Sequence, residues 1–130
     1  MKQFSLSRSE MLKSRKVLDA IFREGKNLSA PPIRVHFLLG KTPSAEGENN
    51  VLMAVGAGKK YFKKAVHRNR IKRLMREAYR LQKHPLLELV SAQKTTLYLF
   101  FQFTGRDLPT FTDVQEKMNI LLHKLQQRLS

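Results

Sequence analysis

Lys59-Lys60-Tyr61-Phe62-Lys63-Lys64-Ala65-Val66-His67-Arg68-Asn69-Arg70-Ile71-Lys72-Arg73-Leu74-Met75-Arg76-Glu77-Ala78-Tyr79-Arg80 carries the strongest pattern in this chain. From Lys59 to Lys83 there are eleven Lys and Arg against a single acid, Glu77. At about 100° per residue, Ile71, Leu74, Met75 and Ala78 gather on one side of a helix. Arg68, Lys72, Arg76 and Arg80 follow one another at i,i+4 steps, and Asn69 and Arg73 complete the arc opposite the apolar side. The pattern predicts a helix from about Lys64 to Lys83, ending near His84-Pro85 because the residue before a proline is pushed out of the helical region. Like charges at i,i+4 each cost a helix a few tenths of a kcal/mol. A face meant only for solvent would intersperse acids among these cations. The arc is one-sided and rich in Arg, whose planar fork holds a phosphate bidentately and stacks on a base. An anionic partner is expected along it.

The rest of the composition narrows that partner. The chain has 130 residues, which fits one domain, and 42% of them are hydrophobic, enough for a modest core. Twenty-five Lys and Arg against 10 Asp and Glu give a formal net charge of +15, a self-repulsion that a polyanion would relieve. Nucleic acid, an anionic membrane surface or an acidic protein all qualify. No apolar run approaches the roughly 20 residues of a membrane span, and the opening Met1-Lys2-Gln3-Phe4-Ser5 lacks the apolar stretch of a secretory signal. The absence of cysteine excludes disulfides and thiolate metal sites. A cytoplasmic protein is the simple expectation, with residues 1–13 poorly ordered.

Working outward from the basic helix, the elements read α, β, β, α, β, α without an internal repeat. Ser14 is placed to cap a helix from Arg15 to Glu24 that Gly25 stops, with an earlier start available through Ser7 and Glu10. Leu18, Ile21 and Phe22 share one face of it. Pro31-Pro32 forbids helix and introduces a strand from Ile33 to Leu39. Lys41 to Asn50 reads as an exposed loop, and Val51 to Gly58 returns as a strand expected to form a hairpin with the preceding one. Thr95 to Phe103 is a third strand, rich in Phe, Leu and Tyr. Beyond Leu108-Pro109, Thr112 and Gln115 fit a capping box for a last helix. In that helix Phe111, Val114, Met118, Leu121, Leu122, Leu125 and Leu129 form an apolar stripe that reads as core.

The stretch quoted first resembles the signature of the bacterial ribonuclease P protein family. The Lys59-Lys60 pair, Ala65-Val66, and the run Arg68-Asn69-Arg70-x-Lys72-Arg73-x-x-Arg76-x-Ala78 stand at the family's spacing. The order of elements extends the resemblance over nearly the whole chain. It implies one RNA-binding domain spanning residues 1–130, an α/β (α+β) two-layer sandwich with a small sheet. It further implies a left-handed βαβ crossover, as in the second domain of ribosomal protein S5. Position by position, the resemblance implies that Arg68, Asn69, Arg70, Lys72, Arg73 and Arg76 contact a catalytic RNA subunit, and Lys64 and Arg80 near the two ends of the same helix join that set. Lys59 and Lys60 match residues near the RNA and the 5′ leader of precursor tRNA. Phe22 matches an aromatic residue of the family's leader cleft, where a base could stack for roughly 1–3 kcal/mol. If Ile33, Val35 and Phe37 face the core, Arg34 and His36 face that cleft. The chain departs from the family at Leu18, where Phe is common, and at Gly58, where Ser or Thr is common.

The resemblance implies that the RNA, using bound Mg²⁺, performs the cleavage in a ribonuclease P holoenzyme. The residues themselves give no rival enzyme. The ten acids are scattered, with the close pair Glu46 and Glu48 in the loop, and His36, His67, His84 and His123 lack metal-ligand spacing. The alternative reading is a structural RNA-binding protein of ribosomal type with no processing role. A DNA reader would show a helix-turn-helix spacing or a dimer seam, and neither is visible.

Overall fold

The computed structural model of the chain describes residues 15–40, 51–93 and 95–129. The order is α1 (Arg15–Glu24), β1 (Lys26–Ala30), β2 (Ile33–Gly40), β3 (Val51–Ala57), α2 (Ala65–Gln82), α3 (His84–Gln93), β4 (Thr96–Phe103) and α4 (Phe111–Leu129). Ser14, the Ser7–Glu10 alternative, residues 1–13 and the 41–50 loop with Glu46 and Glu48 lie outside the described residues.

The four strands form one mixed sheet in the order β1-β2-β4-β3. β2 pairs antiparallel with β4 from Ile33↔Phe103 to Gly40↔Thr96, while β3 pairs parallel with β4 from Val51↔Leu97 to Ala57↔Phe103. The expected hairpin between the second and third strands is therefore absent: β4 lies between them. The hairpin that does form joins β1 to β2, with Ala30↔Ile33 closing it across Pro31-Pro32, whose peptide bond is cis. β1 is an addition to the expected order. Its sequence, Lys-Asn-Leu-Ser-Ala, is too short and polar to announce a strand, and the strongly apolar β2 supplies the template it pairs with. Lys26 and Asn27 keep this edge exposed and polar, which discourages further pairing.

Alternation along the strands separates the two faces. Ile33, Val35 and Phe37 of β2, Val51 and Met53 of β3, and Leu97, Leu99, Phe101 and Phe103 of β4 are buried on one face. α2, α3 and α4 cover that face with Ile71, Met75, Ala78 and Tyr79, with Leu86 and Val90, and with Val114, Met118, Leu121, Leu122 and Leu125. The apolar stripe expected for the last helix is thus core, and Phe111 packs against it half-buried. Burial at this scale, about 1.5–3 kcal/mol for each large apolar side chain, is what holds a small, highly charged domain together. Polar ties add to it: Gln82 at the end of α2 donates to the Gln115 carbonyl at 3.1 Å and accepts from Asn119 Nδ2 at 2.8 Å, locking α2 to α4.

Two helix boundaries differ from expectation. α2 does stop at Gln82, but a further helix, α3, starts at once, because Pro85 stands in its first turn, where a missing N–H costs nothing. α4 is capped by Thr110 rather than Thr112: the Asp113 amide donates to Thr110 Oγ1 at 3.2 Å, two residues earlier than the expected box.

Among the described residues α1 alone lies on the opposite face of the sheet, over β2 and β4. Gly25 ends it as expected, but not through a left-handed backbone. A Cβ there would stand 2.4 Å from the Ile21 carbonyl oxygen and 2.6 Å from that of Phe37. Both obstacles are backbone, so neither can swing aside. Gly25→Ala is therefore expected to destabilise the fold by about 3 kcal/mol, the upper range for forcing atoms into a packed site. A lowered denaturant midpoint at unchanged m-value would show it; an unchanged midpoint would refute the close approach.

Candidate nucleic-acid interface

α2 presents the basic arc, and its geometry redistributes the expected roles. Its extent, Ala65–Gln82 with Lys64 and Lys83 as the flanking caps, matches the expected helix. Four residues turn the helix by about 400°, so an i,i+4 row drifts by about 40° per step. Arg68 consequently starts the row near the buried edge, and Arg68, Lys72, Arg76 and Arg80 are all only partly exposed. Asn69, Arg70 and Arg73 are the exposed polar residues of the helix's first half, with Lys64 at its entrance. The outward face is centred on these four.

Two of these partly buried cations have local work. Arg68 Nη1 donates to the carbonyls of Phe62 and Lys63, both at 2.8 Å, and so clamps the segment that leads into α2. Arg80 forms a two-pronged pair with Glu77, its Nε 3.1 Å from Glu77 Oε2 and its Nη2 bonded to Oε1. The hydrogen bond from Arg80 holds the Glu77 carboxyl below the usual carboxylate range, and the same bond raises Arg80. The one acid of the stretch thus offsets the C-terminal end of the arc, while Arg70 and Arg73 form no ion pair among the described residues. At the other end, no side chain caps the first turn of α2 and no acid stands in it. Positive potential accumulates there, since the helix dipole adds to Lys63, Lys64 and Arg68.

The second part of the interface is the cleft between α1 and the sheet. Phe22 is 54% exposed although it sits at the helix–sheet junction. Its ring centroid lies 4.9 Å from that of His36 and 5.2 Å from that of Phe100, the latter edge-on at 67°. His36 Nε2 is 3.0 Å from Gln102 Oε1, to which it donates when that nitrogen carries the proton. Arg34 is exposed on the same strand face, and Leu18 is half-buried on α1. Gly56 makes room for this cluster, because a Cβ there would come within 2.6 Å of Phe100 Cζ.

The structure therefore brings Phe22, Arg34 and His36 to one cleft, as expected from strand alternation, and adds Phe100 and Gln102. The alternation that buries Leu99, Phe101 and Phe103 would have placed both on the opposite face, so the signal for them was present. Lys59 and Lys60 are exposed in the turn between β3 and α2. At Gly58 a Cβ would meet nothing within 4 Å, so the departure there is not imposed by space.

Comparison with known proteins decides the family. The family model described as Ribonuclease P matches residues 6–126. The chain belongs to the ribonuclease P protein family. A Porphyromonas gingivalis protein named Ribonuclease P protein component is 39% identical over 115 residues, covering 88% of this chain and 82% of the relative. One of the same name from Chlorobium phaeobacteroides is 31% identical over 134 residues, covering 93% and 88%. Among solved structures, the RNase P protein of Staphylococcus aureus superposes with a TM-score of 0.68 at 18% identity, covering 89% of this chain and 94% of that one. The RNase P protein of Thermotoga maritima gives 0.65 at 23% identity, covering 88% and 96%. These two share the α+β fold of this chain, which among the described residues has four helices and one mixed sheet. Family membership gives the chain a role as a protein component of ribonuclease P.

Proposed function

We propose that this chain binds the catalytic RNA of ribonuclease P through α2 and holds the 5′ leader of precursor tRNA in the α1–sheet cleft. The observation that carries this reading is the separation of two surfaces. One is cationic and nearly free of aromatic rings, suited to phosphates of a folded RNA: Lys64, Asn69, Arg70 and Arg73 in front, with Lys72 and Arg76 at the flank. The other gathers Phe22, His36 and Phe100 with Arg34 at the edge, the combination that stacks bases while neutralising a single strand. Arg68 acts mainly by holding the Lys59–Lys64 segment, and Arg80 is shared with Glu77.

Cleavage of the leader phosphodiester, giving the mature 5′ end, belongs to the RNA subunit with its Mg²⁺. Among the described residues no group of three His, Cys, Asp or Glu side chains is placed to hold a metal ion. The protein contributes binding, orientation and charge neutralisation. Among the described residues no helix is long and apolar enough to cross a membrane, and a cytoplasmic place of action suits a tRNA-processing role. A ribosomal-type RNA binder would share the basic helix but has no use for an aromatic cleft on the far side of the sheet.

The leader assignment predicts a selective loss. Phe22→Ala with Arg34→Ala is expected to weaken holoenzyme affinity for long-leader precursors by about 2–3 kcal/mol, the worth of one base stack and one phosphate contact. Binding of mature tRNA and assembly with the RNA subunit should change little. Affinity measured against leader length, alongside thermal stability, checks this. If wild type and variant lose affinity identically as the leader shortens, and the variant stays folded, the leader runs elsewhere.

A further inference from the structure

We propose that the hollow where α1, β2 and α4 end holds an unpaired nucleotide of the RNA subunit, its base against leucines and its phosphate on Lys26 and Arg128. The inference rests on the reading of α2 as the face for the RNA subunit and adds a second contact outside the basic motif. The hollow measures about 330 Å³ and is lined by Glu24, Gly25, Lys26, Leu39, Arg128 and Leu129 among others. Alternation fixes its place. Phe37 is buried on the helical face of the sheet, Leu39 shares that face two residues on, and Lys26 stands directly across from Phe37. The sheet therefore separates the hollow from the Phe22–His36–Phe100 cleft. It lies on the side that also carries α2.

The chemistry of the walls selects the ligand. Leu39 is 43% exposed, a large apolar side chain left open beside two cations. Lys26 and Arg128 are themselves exposed and form no ion pair among the described residues. Glu24 is held only loosely, its Oε2 3.9 Å from Arg23 Nη2. Two helices also finish here, α1 at Glu24 and α4 at Leu129. Helix C-termini carry the negative end of the dipole and carbonyls without intrahelical donors. They disfavour a bare anion inside the hollow and favour a group that brings N–H donors. A nucleotide meets all three demands. Its base has apolar faces for the leucines and N–H groups for the carbonyls and Glu24, and its phosphate stays at the rim, where Arg can hold it bidentately. A fatty carboxylate supplies no donors, and a free phosphate supplies no apolar surface. Pockets for small ligands run about 300–1,000 Å³, and this one, at the small end, suits a single nucleotide of a strand that continues outside. Unpaired RNA bases are splayed out and bound in this manner.

The walls are set before any RNA arrives. The Gly25 amide donates to the Ile21 carbonyl at 2.9 Å, and the backbone there runs too close to Ile21 and Phe37 to admit a side chain. Gln93 Nε2 donates to the Leu129 carbonyl and so ties the end of α4 to α3. Fixed walls lower the ordering cost of binding.

The test uses holoenzyme reconstituted from the full chain and the RNA subunit. A photoreactive benzophenone carried at position 39 should crosslink to one unpaired nucleotide of the RNA subunit, with or without precursor tRNA. Lys26→Ala with Arg128→Ala should remove that crosslink and lower affinity for the RNA subunit about three- to tenfold. The same pair should flatten the salt dependence by about 0.7 log units per log unit of salt, one phosphate contact on a single strand. Leu39→Ala should lower affinity by a similar factor at the wild-type slope, because it removes base contact and no charge. Melting curves establish that each variant is folded. Absence of the crosslink overturns the assignment, and so does a crosslink only to precursor tRNA or to protein. A loss in the cation variant with Leu39→Ala unchanged would reduce the site to general charge and overturn the nucleotide pocket. Saturation by micromolar adenosine 5′-monophosphate, with no crosslink to RNA, would overturn it in favour of a free nucleotide. If the pocket fails while Arg70→Glu with Arg73→Glu still weakens assembly, the α2 reading stands. If that pair changes nothing, the α2 reading fails on its own account.

Discussion

Purified free of RNA, this protein will leave precursor tRNA uncut, and cleavage to a mature 5′ end will appear only when the RNA subunit and Mg²⁺ are supplied. Enzymes lower such barriers by about 8–23 kcal/mol, which takes an activated nucleophile and a means of stabilising the leaving group. Three groups able to act as a base are otherwise placed. His36 is held between Phe22, Phe100 and Gln102, and His123 Nδ1 sits 3.0 Å from the Asn119 carbonyl within its own helix. Glu77 is engaged by Arg80. The cations of α2 can neutralise phosphates but cannot activate water. The decisive measurement is 5′-end mapping of the product, with protein pretreated with RNase and then cleared of it. Site-specific cleavage by that material would overturn the assignment of chemistry to the RNA.

How far the sequence reveals this molecule depends on the range of the interactions involved. Helix limits at Arg15–Glu24 and Lys64–Lys83, and the core stripe of α4, follow from local periodicity and were legible. So was the division of β2 into a buried face and a cleft face, because alternation is local as well. Strand order was not: whether Val51–Ala57 joins β2 or β4 is settled by pairing across the intervening α2 and α3, and hairpin logic favoured the wrong neighbour. β1 and α3 were missed for different reasons, one being too polar to stand out and the other masked by a proline that reads as a stop. In the interface, charge was legible but its division of labour was not. Arg68 looks like its neighbours in the motif until the carbonyls of Phe62 and Lys63 appear beside it. Arg128 lies far from Lys26 in sequence, and only the fold brings both to one hollow.

That division of labour makes the second large effect specific. Arg70→Glu combined with Arg73→Glu should lower affinity for the RNA subunit by roughly a hundredfold or more at physiological salt, since two charge-assisted contacts of about 1.5–3 kcal/mol each are replaced by repulsion. The plot of log affinity against log salt should flatten by about 2, one unit for each phosphate contact removed. Both side chains stand in solvent and neither pairs with an acid among the described residues, so the fold should survive with unchanged or slightly raised stability. Relief of like-charge repulsion along the helix works in that direction. Arg68→Ala supplies the contrast. It removes two 2.8 Å bonds to backbone carbonyls, so it should lower the melting temperature and loosen the Lys59–Lys64 segment, seen as faster amide exchange at Tyr61 to Lys64. Its salt slope should change less than that of the double reversal, because its charge is directed at the protein's own backbone. If Arg68→Ala flattens the slope as much as the double reversal while leaving stability untouched, the clamp is incidental and Arg68 belongs to the RNA-facing set. If the double reversal leaves affinity and slope unchanged, the RNA subunit is held by another face of the molecule.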